Sequence, residues 1–234
     1  MPEILLQPVP FVAYGLSHWI VLLIFCLVML GLLLSARHLG QLGQQRLGRG
    51  LALVILLIML PFQIGAMSPP FWDVQYSLPL QLCDLAWMVA VVALWSGRRW
   101  ASDLLYFWGL TLTVQGLITP ALGYGYPHIG FFMFFAMHCL VVWAAIYRTW
   151  GMGFRPDWGS YRCAVVVTLG WMGLMLLVNA LLGTNYGFVS AKPASASILD
   201  ALGPWPVYLF WEVVIAMAAW ALLTLPWVRG QRRR

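Results

Sequence analysis

GLSHWIVLLIFCLVMLGLLLSA, residues Gly15–Ala36, is an unbroken apolar run with no Asp, Glu, Lys or Arg. An α-helix rises about 1.5 Å per residue, so roughly 20 such residues cross the hydrocarbon core of a bilayer. Six further runs fit the same reading: Leu51–Met67, Leu78–Trp95, Ala101–Ile118, Ile129–Ile146, Cys163–Leu182 and Pro206–Pro226. Prolines punctuate them. Pro61 and Pro69-Pro70 bracket the end of the second run, Pro79 opens the third and Pro120 closes the fourth. Pro127 opens the fifth and Pro204-Trp205-Pro206 the seventh, where a missing amide costs little.

Composition agrees. A soluble domain carries about 25% charged residues; this chain has 9%, against 62% apolar. The expected fold is all-α, a single polytopic bundle over residues 1–234 with seven transmembrane helices.

Arginine and lysine set the orientation. Arg37, Arg46 and Arg49 fall between runs one and two, Arg98 and Arg99 between three and four. Arg148, Arg155 and Arg162 fall between five and six, and Arg229 with Arg232–Arg234 in the tail. The alternate segments hold Lys192 alone. The N-terminus is therefore expected outside and the C-terminus in the cytoplasm. The net charge of +6 belongs to this asymmetry rather than to a nucleic-acid surface. Met1 to Tyr14 carries Glu3 and no basic residue, so no cleavable signal peptide is expected, and the first helix acts as targeting signal. Trp19, Trp72, Trp100, Trp205 and Trp227 stand near run ends, as interfacial belts do.

Polar side chains inside a span cost about 2.5–3.5 kcal/mol when charged at its centre. In the expected orientation His18, Gln63, Gln81, Asp84, Gln115, His138, Asn179 and Glu212 lie in the outer half or near the midplane. Asp103 lies near the cytoplasmic end of the fourth run. One outward-facing polar cavity would account for the set. The alternative is hydrogen-bond glue between helices, about 0.6 kcal/mol per contact. Asp84 and Glu212 favour a site, since no Lys or Arg shares their spans. Cys26, Cys83, Cys139 and Cys163 form no CxxC pair and no disulfide pattern. No metal is expected from four histidines in different segments, and no cofactor.

Cys83 stands about one and a half turns into the third run, and His138 two and a half turns, roughly 14 Å, into the fifth. A thiol beside an imidazole is a minimal nucleophile and base. Gln81, Gln115 or Asn179 could donate to an oxyanion, and Asp84 or Glu212 could orient the imidazole. By spacing alone, core packing explains Cys83 and His138 as well.

Three blocks carry a resemblance. They are Leu78-Pro79-Leu80-Gln81-Leu82-Cys83-Asp84, the Phe-rich run from Phe131 to His138, and a third block. The last comprises Asn179, Asn185-Tyr186-Gly187-Phe188, Lys192-Pro193, Ser197-Ile198-Leu199-Asp200 and Gly203-Pro204-Trp205-Pro206 with Tyr208. Over about Leu78 to Glu212 the chain resembles the YwaF-type family of bacterial integral membrane proteins. The resemblance implies a multi-pass protein of the bacterial cytoplasmic membrane. Its animal branch is described as a phospholipid acyltransferase using a Cys and a His, which implies Cys83 and His138 as catalytic residues. Many relatives carry His where this chain has Gln81. Asn185 and Tyr186 join Gln81, Asp84, Gln115, Asn179 and Glu212 as candidate substrate-binding residues.

The expected function is acyl transfer through a Cys83 thioester, with membrane lipids as partners. An outward cavity favours a phospholipid donor, since coenzyme A thioesters are cytoplasmic. The alternative is a carrier or binding protein whose Asp84, Glu212 and His138 hold a proton or cation. A retinal protein is excluded because the one lysine, Lys192, lies in a loop.

Overall fold

A computed structural model describes residues 10–193 and 198–231. The segment to Val9, with Glu3, lies outside the described residues, as do Ser197 and Arg232–Arg234. The described chain is helical, without strands. Its elements are α1 (Leu16–His38), α2 (Gln41–Ala66), α3 (Leu82–Ser96), α4 (Arg99–Phe107), α5 (Val114–Ile118), α6 (Ile129–Ile146), α7 (Trp158–Leu182) and α8 (Val207–Gln231). A π-helical stretch, Trp108–Thr113, joins α4 to α5, and another, Tyr147–Gly151, prolongs α6. α1, α2, α6 with its extension, α7 and α8 are long and apolar enough to cross a membrane.

α3 is shorter, and it packs with α4 in the middle of the bundle. Ala86, Ala90 and Ala93 of α3 and Ala101, Leu105 and Phe107 of α4 are buried. α2, α6 and α7 pack around this pair, and α1 packs on α6 and its Tyr147–Gly151 extension. Their outward faces remain apolar: Leu16, Leu23 and Leu27 of α1, Val166 and Leu181 of α7 and Leu222 of α8 are exposed. Water would not tolerate so continuous an apolar exterior, and lipid requires it.

Several helix ends differ from the apolar runs. α2 starts at Gln41 rather than Leu51, so Arg46 and Arg49 are helical rather than in a loop. α7 starts at Trp158 rather than Cys163, because Asp157 and Ser160 form a capping box. Ser160 N donates to Asp157 Oδ1 at 2.9 Å and Asp157 N to Ser160 Oγ at 3.2 Å. α3 starts at Leu82 rather than Leu78 and α4 at Arg99 rather than Ala101, while α8 runs beyond Pro226 to Gln231. Pro61 likewise lies within α2 instead of bracketing its end. Apolarity marks where hydrocarbon begins; backbone hydrogen bonding and caps mark where a helix begins, and the two need not coincide.

At the arginine-rich end Arg99 ties α4 to α7. Its Nε lies 3.1 Å from Asp103 Oδ1, and its Nη2 lies 2.9 Å from both Asp157 Oδ2 and Ser160 Oγ. At the other end His18 pins α1 to α5. Its Nε2 donates to Leu117 O at 2.8 Å, and Nδ1 accepts from Tyr14 N at 3.0 Å. Both ring nitrogens are used and the ring is fully buried. His18→Leu is expected to strand a buried carbonyl and destabilise the protein by about 2 kcal/mol, with lipid-facing residues untouched. A thermal melt in a fixed detergent checks this; an unchanged midpoint would show that the bond contributes nothing.

Candidate active site

α3 begins where Pro79 ends the preceding turn. Gln81 is its N-cap, and Gln81 N donates to Asp84 Oδ2 at 3.1 Å. This start fixes Cys83 in the first turn, on the side facing α6. From α6, His138 reaches toward it, and Cys83 Sγ lies 3.6 Å from His138 Nε2. His138 Nδ1 lies 2.7 Å from Phe134 O. A carbonyl only accepts, so Nδ1 carries the proton and Nε2 of the neutral ring holds a lone pair aimed at sulfur. The thiol is then the donor in the Cys83–His138 contact.

The imidazole is held on three sides. The Phe134 ring lies tilted against it with ring centroids 4.1 Å apart, and its carbonyl fixes Nδ1. From α5, Gly116 approaches so closely that a Cβ there would lie 2.2 Å from His138 Cδ2 and 2.4 Å from Nε2. Only glycine fits. The expectation that Asp84 or Glu212 orients the imidazole is corrected: a backbone carbonyl one turn back occupies Nδ1, and Asp84 Oδ2 accepts from the Gln81 amide instead.

Cys83 and His138 face a cavity of about 570 Å³. Gln81, Asp84, Gln115 and Glu212 also line it, among mainly apolar neighbours such as Phe134, Met137, Val165, Met172 and Ala216. No Lys or Arg does. The π-helical Trp108–Thr113 stretch forms part of the opposite wall. Trp220 Nε1 donates to Thr111 Oγ1 at 2.9 Å, and Trp108 Nε1 donates to Thr168 Oγ1 at 2.8 Å. These bonds anchor the α4–α5 rod to α7 and α8 where its regular ladder is interrupted.

The remaining sequence candidates lie elsewhere. Asn179, buried on α7, organises the following loop: its Nδ2 donates to Tyr186 O at 3.0 Å, and its Oδ1 accepts from Tyr186 N at 2.8 Å. Tyr186 OH reaches back to Val74 O at 2.6 Å. Asn185 Oδ1 accepts from Ser190 N and Ala191 N. Gln63 Nε2 donates to Ser77 O at 2.8 Å. Asn179, Asn185, Tyr186 and Gln63 do not line the cavity; they fold the chain that closes one end of it. Gly187, Phe188, Val189 and Pro193 of that loop are in its wall. The clamp is direct: Gly187 N donates to Gln81 Oε1 at 2.8 Å, and Trp171 Nε1 to Leu80 O at 3.1 Å. Gly187, at φ +70°, leaves its missing side chain against Trp171.

Sequence alone does not single out Gly116, and it marks Phe134 only as part of the Phe-rich run ending in His138, without a role. The one trace of Gly116 is a residue without a side chain beside Gln115, in a helix of bulky neighbours.

The model of the TMEM164 family matches residues 13–224. An uncharacterized protein of Treponema pallidum (strain Nichols) is 26% identical over 232 residues, covering 96% of this chain and 93% of its own length. No solved structure matches.

Proposed function

The chain belongs to the TMEM164 family of multi-helix membrane proteins, and from that premise we propose that it transfers acyl groups between membrane lipids through a thioester on Cys83. The observation that carries this is the 3.6 Å approach of Cys83 Sγ to the lone-pair nitrogen of His138 at the wall of a large apolar cavity.

His138 Nε2 takes the Sγ proton as sulfur attacks the ester carbonyl of a bound phospholipid. Gln81 has its Oε1 held by Gly187 N–H, leaving its amide hydrogens to stabilise the oxyanion. The ester C–O bond breaks, and the leaving alkoxide takes the Nε2 proton to give lysolipid and a Cys83 thioester. An acceptor hydroxyl then gives its proton to Nε2 and attacks the thioester carbonyl. The thiolate leaves and recovers the proton. Phe134 O holds Nδ1–H through both halves, so the ring needs no tautomer change.

We place the chain in the bacterial cytoplasmic membrane with seven spans, N-terminus outside. The arginine distribution supports that orientation, and the cavity then opens away from the arginine-rich side. A phospholipid in the outer leaflet is the donor that suits it. The test is intact-protein mass spectrometry after incubation with phosphatidylglycerol in detergent. The expected result is an acyl-sized adduct that neutral hydroxylamine removes, with lysolipid in the supernatant. Absence of both would overturn the proposal.

A second reading rests on Asp84 and Glu212, two carboxylates facing the same cavity with no Lys or Arg lining it. Such a site suits a cation or proton. A carrier is expected to lose uptake in Glu212→Gln while Cys83→Ala keeps it, with uptake varying with pH. The thioester enzyme gives the reverse order of sensitivity, measured as lysolipid release.

A further inference from the structure

A second cavity, of about 290 Å³, opens at the arginine-rich end of the bundle, remote from Cys83. Its wall combines Gln41, Gln44, Gln45 and Arg49 from α2 with Trp95 at the end of α3 and Arg148 beyond α6. No acidic residue lines it. This sets Arg148 apart from its neighbour Arg99. Both guanidinium groups stand 5.3 Å from the Phe154 ring, but Arg99 is neutralised by Asp103 and Asp157. Arg148 meets only neutral acceptors: its Nε donates to Ser102 Oγ at 2.9 Å and its Nη2 to Gly97 O at 3.4 Å.

The two bonds of Arg148 fix the guanidinium plane and leave Nη1 without an acceptor among the described residues. Arg49, exposed on the next wall, has no hydrogen bond or ion pair with the protein among the described residues. Gly97 closes α3 in the left-handed conformation, at φ +66°, and its carbonyl accepts from Arg148 Nη2. Gly48 lets Met152 and Tyr147 pack directly on α2, while Gln44 is held by Ala36 O and Tyr147 OH donates to Gln44 O. Two guanidinium groups of one sign and the amides of Gln41 and Gln45 thus surround a space with no counter-charge.

We propose that this cavity binds a phosphate-bearing anion, held between Arg49 and Arg148. A phosphate oxygen pair matches the planar fork of a guanidinium, and each ionised hydrogen bond is about twice as strong as a neutral one. The volume lies at the lower end of ligand pockets, about 300–1,000 Å³, so it admits a phosphate headgroup rather than a whole lipid. Trp95, exposed at the rim, supplies an interfacial ring beside it. The same chemistry is offered by an anionic lipid headgroup and by a free phosphate monoester.

Purified protein in phosphatidylcholine nanodiscs separates these sources. One arm adds phosphatidylglycerol to the discs and reads retained lipid by native mass spectrometry; the other adds soluble glycerol phosphate and reads the melting midpoint. Arg49→Gln removes a side chain with no protein bond, so folding is preserved, and Arg46→Gln serves as control, since Arg46 is exposed nearby but does not line the cavity. Arg49→Gln is expected to weaken binding about tenfold, the loss of one charge-assisted contact, while Arg46→Gln leaves it unchanged. Binding in the first arm alone assigns the headgroup; binding in the second assigns the free phosphate. Equal weakening by both variants, or no saturable binding to wild type in either arm, would overturn the site. The outcome is independent of whether Cys83 carries an acyl group.

Discussion

Cys83→Ala is expected to abolish acyl transfer, with lysolipid release falling to background, on the order of 10⁵-fold or more as when a covalent nucleophile is removed. The fold should survive, because Cys83 makes one side-chain hydrogen bond, to His138, and alanine leaves the α3 cap between Gln81 and Asp84 intact. Cys83→Ser sharpens the result. Serine preserves shape and hydrogen bonding, yet its hydroxyl is a far poorer nucleophile than a thiol beside a base that lacks a carboxylate partner. Here Nδ1 is held by Phe134 O rather than by Asp84 or Glu212. The serine variant is therefore expected to resemble alanine in rate while melting like wild type. Undiminished lysolipid release from Cys83→Ala would remove the thioester from the mechanism and direct attention to Asp84 and Glu212.

The membrane-helix character was legible in the sequence because lipid imposes it directly: an exterior such as Leu16, Leu23 and Leu27 has no other stable surroundings. The depth of Cys83 was not. Counting from Leu78 set it one and a half turns into a helix, but the chain from Leu78 to Gln81 is turn, so helical rise does not measure it. The partner of His138 Nδ1 was missed for a different reason. Side-chain reasoning looks for carboxylates, whereas the acceptor is the carbonyl of Phe134, a property any residue there would share. Polar residues near the span ends divided in a way that spacing could not foresee. Gln115 faces the cavity, while Asn179 is consumed by Tyr186 and Thr184. The difference lies in how the loop after α7 folds back, which is fixed by contacts such as Gly187 with Trp171 rather than by periodicity.

Under the proposed mechanism, Gly116→Ala is expected to abolish acyl transfer although it replaces neither Cys83 nor His138. The new methyl would stand 2.2 Å from His138 Cδ2, well inside any real carbon contact. The ring cannot retreat, since the Phe134 ring packs against it and the Phe134 carbonyl holds Nδ1. Either the imidazole rotates away, breaking the Phe134 bond, or α5 moves off α6; each separates Nε2 from Cys83 Sγ. Overpacking of this kind costs about 1–3 kcal/mol of stability, and loss of the general base lowers transfer about 10²–10⁴-fold. The variant should therefore match His138→Ala in rate, while Cys83 still reacts with a small alkylating reagent. Stability separates this mechanism from general damage to the helix. In a double-mutant cycle, His138→Ala removes the ring that the methyl strikes, so adding Gly116→Ala to it should cost much less than in wild type. Additive melting penalties would mean that Gly116 serves α5 rather than His138, and the close approach of that helix would then have no part in setting the base.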